Sequence, residues 1–462
     1  MTLDLNSLIA ARADEKFDLF EKHLNGQLVR VLKTIGFDRT YARAEGAYLI
    51  DRDGTRYLDL LSGWGVFALG RNHPQVIAAL KQVLDGQIAG LVQMDVSLLA
   101  ALLAERLIGH VPWLEKAFFC NSGAEAIEAA IKFARAATGR SKIVYCEHAF
   151  HGLTYGALSL NGDELFRKGF EPLVGDCVRV PFDDAGALEQ VLRARDAAAF
   201  IVEPIQGKGV NIPSDGYLAD VQRLCRKYGA LFVADEIQAG MGRTGRFLSC
   251  QHWGVEPDIV CLAKALSGGF VPVGALLTRR WIFEKLFDRM DRAVVHGSTF
   301  AKNDLAMAAG LATLQVMEDE GLIERAGSVG ERLMTELRSR LEGREFFRAV
   351  RGKGMMIAIE FGAPRSLKLR GAYAMLDAAS KGLFCQLILI PLFQRHHILA
   401  QVAGHNMPVI KLLPPLIIGD AEVAQVGAAF EAEVRDAESL GGIWELGRTL
   451  AGQALKTRAR VA

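Results

Sequence analysis

Three apolar runs in this chain each end in a side chain that can do acid–base or covalent chemistry. Ile259-Val260-Cys261-Leu262-Ala263 leads into Lys264, with Gly268-Gly269 shortly after. Leu231-Phe232-Val233-Ala234 ends at Asp235, and Ala199-Phe200-Ile201-Val202 ends at Glu203. Each run has the length and composition of a buried strand. A lysine at such an end either snorkels to solvent or has its amine paired or used covalently, because leaving it buried and unpaired is costly. The two carboxylates at neighbouring strand ends favour the covalent reading, a Schiff-base lysine. Glycines after it allow a turn or a close approach of backbone to a ligand. Strands that all end in polar groups suit a parallel α/β sheet with its site at their carboxyl ends.

Other elements must hold these groups in place. Ala117-Phe118-Phe119-Cys120 reads as a strand, and Asn121-Ser122-Gly123-Ala124-Glu125-Ala126 opens a helix with Ile127, Ile131 and Ala134 on one face. Ser122 and Glu125 form a capping box. The segment is either a well-capped helix or an anion site, since a helix start presents free N–H groups and Gly123 lets a ligand come close. Ile143-Val144-Tyr145-Cys146 is a further strand leading to Phe150-His151-Gly152. Gly46 to Asp59 reads as a hairpin around Asp53-Gly54. Ser62-Gly63-Trp64-Gly65-Val66-Phe67-Ala68 satisfies a bare GxGxxA pattern, without the acidic residue a dinucleotide site needs downstream.

Towards the carboxyl terminus, Asn303 starts a helix through Leu314, and a long charged helix spans about Glu318 to Glu342. Val350 to Phe361 reads as one glycine-led strand. The apolar stretch Gly382 to Phe393 reads as a core strand or strands of a smaller domain, or else as a greasy wall near a substrate entrance. Met1 to about Asn25 has the pattern of a short amphipathic helix, a solvated arm or a dimer contact.

The 462 residues, half of them hydrophobic, exceed what one small core needs, so a large and a smaller domain are expected. The net charge of +1 with interspersed signs gives no footprint for nucleic acid. Seven cysteines without paired metal-ligand spacing read as reduced, buried thiols of a cytosolic protein, and no metal is expected. The amino terminus lacks a signal-peptide pattern, and the longest apolar stretch is too short and interrupted to span a bilayer.

Taken in order, these motifs resemble those of class III pyridoxal-phosphate (PLP) aminotransferases, the ornithine and ω-amino-acid group of PLP fold type I, from about Phe37 to about Gly419. The resemblance implies a mostly parallel α/β large domain and a smaller α+β domain built from both termini. It divides the chain into an N-terminal arm with part of the small domain (1–69), a large PLP-binding domain (70–330) and a C-terminal small domain (331–462). It implies that Lys264 holds the cofactor and then carries a proton, and that Asp235 keeps the pyridine nitrogen protonated. Ser122, Gly123 and Ala124 would bind the phosphate. Phe150 and Ile237 would cover the two ring faces, His151 would support the ring, and Gln238 would bond its hydroxyl. Ser298 and Thr299, in Gly297-Ser298-Thr299-Phe300, would reach the phosphate of a partner chain, which makes the enzyme a homodimer and leaves a tetramer open.

On the substrate side the resemblance implies Glu203, Trp64 and Lys411, with packing an equal reading for Trp64. Val409-Ile410-Lys411-Leu412-Leu413-Pro414-Pro415-Leu416 departs from the family at one place, lysine standing where members that use amino acids carry arginine. Lysine lacks the fork that grips a carboxylate with two hydrogen bonds. The expectation is therefore a cytoplasmic aminotransferase that exchanges an amino group between an amino acid, such as glutamate, and a carbonyl or terminal amine on a hydrophobic or amphipathic molecule. A PLP-dependent aminomutase, epimerase or decarboxylase of the same fold is the alternative, because the cofactor does the hard step and the pocket chooses the bond. An inactive scaffold of the same fold is the non-enzyme reading, which intact Lys264 and Asp235 oppose.

Overall fold

A computed structural model describes residues 3–92, 94–379 and 383–439. A seven-stranded sheet runs through its centre, formed by Lys116–Cys120 (β1), Lys142–Cys146 (β2), Cys177–Val180 (β3), Ala197–Val202 (β4), Leu231–Asp235 (β5), Ile259–Leu262 (β6) and Gly274–Thr278 (β7). The order across the sheet is β1-β7-β6-β5-β4-β2-β3. Pairing from β6 through β5, β4 and β2 to β3 is parallel, and β7 runs against both of its neighbours. Every residue of β4, β5 and β6 is buried, as continuous apolar strands covered on both faces must be. The Gly123–Thr138 helix supplies part of that cover, burying Ala126, Ile127, Ala130, Ile131 and Ala134.

Two four-stranded sheets flank this core. One pairs Tyr41–Glu45, Tyr48–Asp51 and Arg56–Asp59 with Ile398–Leu399, so amino- and carboxyl-terminal segments share a sheet. The expected hairpin is present, with Gly54 at φ +84° in its turn. The other sheet has the order Phe347–Lys353, Met356–Phe361, Val409–Leu412, Gln401–Val402.

Three expectations are corrected. Val350 to Phe361 is a hairpin of two antiparallel strands, turned at Gly354 with φ +52°. The helix starting at Asn303 is present but runs on as Asp304–Asp319, so the one expected from about Glu318 begins later, as Leu322–Leu341, after Gly321 at φ +56°. The apolar stretch is the helix Leu383–His396, not strand; Gly382 lies outside the described residues. Phe384, Cys385, Leu387, Ile388, Leu389 and Ile390 are all buried, which leaves no polar face to set a helical period. None of its residues lines the cavity described below, so the greasy-wall reading fails too.

Residues 440–462, the end of the expected small domain, lie outside the described residues. All seven cysteines are free thiols and six are buried. Among the described residues, no single helix is long and apolar enough to cross a membrane.

Candidate active site

The carboxyl ends of β1, β2, β4, β5 and β6 open into one cavity of about 460 Å³. Lys264 enters it two residues after β6. It starts a short 3-10 turn with its own φ at +45°, a region a non-glycine residue adopts only when its surroundings force it. Gly268 and Gly269 follow at φ +61° and +90°, and a Cβ on Gly269 would meet the Phe67 ring at 2.4 Å. Burial of the amine pulls the Lys264 pKa below the ordinary lysine value, while Asp235 and Glu203 oppose it.

Asp235, the last residue of β5, is buried. Its Oδ2 lies 2.7 Å from His151 Nδ1, and its Oδ1 accepts the Ile237 N–H at 3.0 Å. Burial works against a charged His151, but the Asp235 carboxylate outweighs it and the histidine pKa is raised. His151 Nε2 is buried and has no protein partner among the described residues. Glu203, one residue past β4, accepts N–H groups from Phe150 at 2.9 Å and Gly207 at 2.7 Å. Burial raises its pKa, with Asp235 adding to the effect and His151 opposing it. Among the described residues Glu203 has no arginine partner; backbone amides hold it.

Between β1 and the Gly123–Thr138 helix, the Ser122 hydroxyl accepts the Glu125 N–H at 3.1 Å. Glu125 reaches back to the Asn121 N–H at 2.7 Å, one residue before the one a capping box uses. A Cβ on Gly123 would meet Ile237 Cδ1 at 2.9 Å. Ser122, Gly123 and Ala124 line the cavity, as do Phe150, Ile237 and Gln238.

Two further expected residues join through Gln238. Its Nε2 donates to the Trp64 carbonyl at 3.2 Å, and its Oε1 accepts from Lys411 Nζ at 3.2 Å. Trp64 is 60% exposed and sits in a left-handed run from Ser62 to Gly65; its Nε1 donates to Gln401 Oε1 at 3.1 Å. Lys411 is buried, and its Nζ also donates to the Gly207 carbonyl at 2.9 Å. Burial, then nearby Lys264, push its pKa down to about 7, against the pull of Glu203.

Ser298 is exposed and accepts from Asn121 Nδ2 at 2.6 Å, within the same chain. Thr299 is exposed and stands outside the cavity. The sequence reading missed Asn121, which lines the cavity and bonds Ser298, although it directly precedes Ser122. It also missed the wall formed by Phe270, Val271, Pro272 and Val273, for which the glycine pair before it was the available signal. Lys208 was missed as well; its Nζ lies 5.3 Å from the centre of the Phe150 ring and 3.3 Å from Asp163 Oδ2.

The family model described as aminotransferase class-III matches residues 33–434. The chain is 35% identical to the aminotransferase PigE of a Serratia species over 453 residues, 90% of this chain and 53% of that one, so it spans about half the length of that relative. It is 38% identical to the acetylornithine aminotransferase of Bacillus cereus over 392 residues, 83% of this chain and 92% of that one. Among solved structures it is similar to the ornithine aminotransferase of Toxoplasma gondii, crystallised with PLP in partial occupancy at its active site. That match has 31% identity and a TM-score of 0.77, over 87% of this chain and 91% of that one.

Proposed function

The chain belongs to the class III aminotransferases, a family of PLP-dependent enzymes, and we propose that its cavity runs a two-stage transfer of an amino group between two small molecules. It is a PLP-dependent aminotransferase of α/β fold type I. One observation carries the reading of the site: Lys264, the Asp235–His151 pair and the glycine-bearing helix start all line the same cavity.

The residues present fit PLP. A buried His151 Nε2 without a protein partner lies in the cavity wall, and Gly123 leaves a space that a Cβ would fill against Ile237. PLP, when bound, supplies a ring that draws electrons from the amine-bearing carbon of the substrate. Lys264 would hold it through Nζ, and Asp235, oriented by His151, would face the ring nitrogen. The N–H groups at Ser122, Gly123 and Ala124 would take the phosphate, with the helix dipole in their favour. Phe150 and Ile237 would cover the ring faces, and Gln238 has a second Nε2 hydrogen for the ring hydroxyl. Once substrate displaces it, the Lys264 amine moves a proton at the substrate carbon. Its lowered pKa supports that role, since a base works best near the operating pH.

The donor in this reading is an amino acid such as glutamate. The acceptor is a carbonyl on a hydrophobic or amphipathic molecule, supported by the Phe270–Val273 wall. Glu203, Trp64 and Lys411 would face the substrates. A second copy of the chain would bring Ser298 and Thr299 to its neighbour's phosphate. Exposed apolar residues beside them, Met290 at 96%, Val294 at 91% and Phe300 at 62%, support a homodimer. We place the enzyme in the cytoplasm, with residues 70–330 as the cofactor-binding domain.

The test is a half-reaction. PLP-loaded protein receives L-glutamate alone while the visible absorbance of the cofactor is followed. Bleaching that a keto acid reverses is the expected result. A protein that takes up no PLP overturns the reading of the site. A coloured protein that glutamate leaves unchanged overturns glutamate as donor.

A further inference from the structure

Phe150 lines the cavity and would cover one face of the cofactor ring, yet its side chain has no polar group through which a hydrogen bond could hold it. Its neighbours therefore set where the ring lies. The Phe166 ring meets it edge-on, with centroids 5.7 Å apart and planes at 75°. The Lys208 ammonium lies over both rings, 4.2 Å from the Phe166 centroid and 5.3 Å from that of Phe150. Both distances are within reach of a cation–π attraction.

The cluster is held from two sides. The Glu203 carboxylate accepts the Phe150 N–H at 2.9 Å and the Gly207 N–H at 2.7 Å, which ties the backbone of Phe150 to the backbone just before Lys208. On the other side, Asp163 caps the Glu164–Arg167 helix that carries Phe166, its Oδ1 accepting the Leu165 N–H at 3.0 Å. Asp163 Oδ2 also accepts from Lys208 Nζ at 3.3 Å, and Asn161 Oδ1 accepts from the same ammonium at 3.5 Å. Only 12% of the Lys208 side chain is exposed. An ammonium so far out of water is attracted to a ring more strongly than one at the surface. Burial draws its pKa below the ordinary lysine value, and Asp163, then Glu203, oppose the fall.

We propose that Lys208 is a positioning residue for the cofactor: its ammonium, held by Asp163, fixes the Phe150 ring, and Phe150 in turn fixes the tilt of the PLP ring. Lys208 does not line the cavity, so it acts through Phe150 and touches no reacting atom. The proposal rests on the PLP reading above and adds to it a residue that sets the shape of the cofactor slot.

The experiment titrates cofactor-free protein with PLP. Visible absorbance gives the Kd, and the visible circular dichroism per bound PLP reports how firmly the ring is oriented. Lys208→Met keeps the stem and removes the charge. Its Kd is expected to rise about fivefold, as the loss of a largely buried cation over an aromatic ring implies, and the dichroic band is expected to weaken. Lys208→Arg, which keeps a cation over the rings, restores both. In a Phe150→Leu background, which retains an apolar cover but no π face, adding Lys208→Met changes neither, because the route through Phe150 is already gone.

An unchanged Kd and band in Lys208→Met overturn the proposal. A loss in Lys208→Arg as large as that in Lys208→Met shows that the charge is not the cause, and overturns it too. So does a full further loss from Lys208→Met in the Phe150→Leu background. If Lys208→Met does not fold, Asp163→Asn decides: it keeps a good helix cap but releases the ammonium, and an unchanged Kd and band there overturn the proposal. A parent that binds no PLP refutes the reading of the site; a parent that binds PLP beside a Lys208→Met variant that binds it equally well refutes the Lys208 proposal alone.

Discussion

The inner wall of the cavity and its outer rim are built in different ways. Glu203, Asp235 and Lys264 on the inner wall each stand at a strand end or no more than two residues beyond it. Parallel register therefore sets their spacing, and buried strands on both sides hold it. The outer rim, of which Gln238 alone among the described residues lines the cavity, joins Trp64, Gln238, Gln401 and the buried Lys411 by hydrogen bonds that span 174, 337 and 173 residues of sequence. No single element positions them, and Trp64 is largely in solvent. Reacting groups held to a fraction of an ångström belong on rigid elements. Groups that must admit two different substrates tolerate a looser frame. In the function proposed above, the wall carries the chemistry and the rim the selection.

The sharpest break between the two is Lys264→Ala. The substitution removes the amine and leaves β6 and the 3-10 turn unchanged in backbone type. Amino-group transfer is expected to fall by about 10³-fold or more, the upper span of what a positioned acid–base group contributes. Steady-state rates with the far-UV spectrum as a folding control measure it. Activity within tenfold of the parent removes Lys264 from the chemistry and the comparison with it.

A substitution that never touches the cavity tests whether the inner wall depends on rigidity. Gly274 begins β7, and a Cβ there would meet the Ser122 carbonyl at 2.4 Å and Cys120 Sγ at 2.8 Å. Gly274→Ala must push Ser122, and with it the start of the Gly123–Thr138 helix. Such overpacking costs about 1–3 kcal/mol. Thermal unfolding is expected at lower temperature, and PLP dissociation by dialysis is expected to be faster. An unchanged melting curve together with unchanged PLP retention means that the wall yields freely, against the contrast drawn above.

The same contrast explains what is legible in the sequence alone. The runs ending at Glu203, Asp235 and Lys264 announce themselves because a buried parallel strand is a continuous apolar word and a charged residue closes it. Ser122 and Gly123 are legible for a similar local reason, a cap followed by a helical period. The Lys411–Gln238 bond is not, since nothing near either residue encodes a partner 173 positions away. The left-handed run from Ser62 to Gly65 escaped because two of its members, Ser62 and Trp64, are not glycine and give no sign of positive φ. The Leu383–His396 helix was misread because from Leu383 to Phe393 only Gln386 is polar, too little to mark either the two-residue or the 3.6-residue period.

The smallest expected effect probes the rim. Gln401 accepts one hydrogen bond from the Trp64 indole at 3.1 Å, and Gln401→Ala removes that acceptor at an exposed site. A neutral hydrogen bond of this kind contributes about 0.5–1.5 kcal/mol. On the substrate-facing role proposed for Trp64, the freed indole has more orientations, which costs substrate ordering and not the reacting geometry. KM for the acceptor is expected to rise by up to about tenfold, the rate equivalent of that energy, with kcat nearly unchanged. The Lys264 amine is untouched, so the half-reaction at saturating glutamate keeps its rate constant. A kcat that falls as far as KM rises places Trp64 in the transition state, and the rim then belongs with the wall.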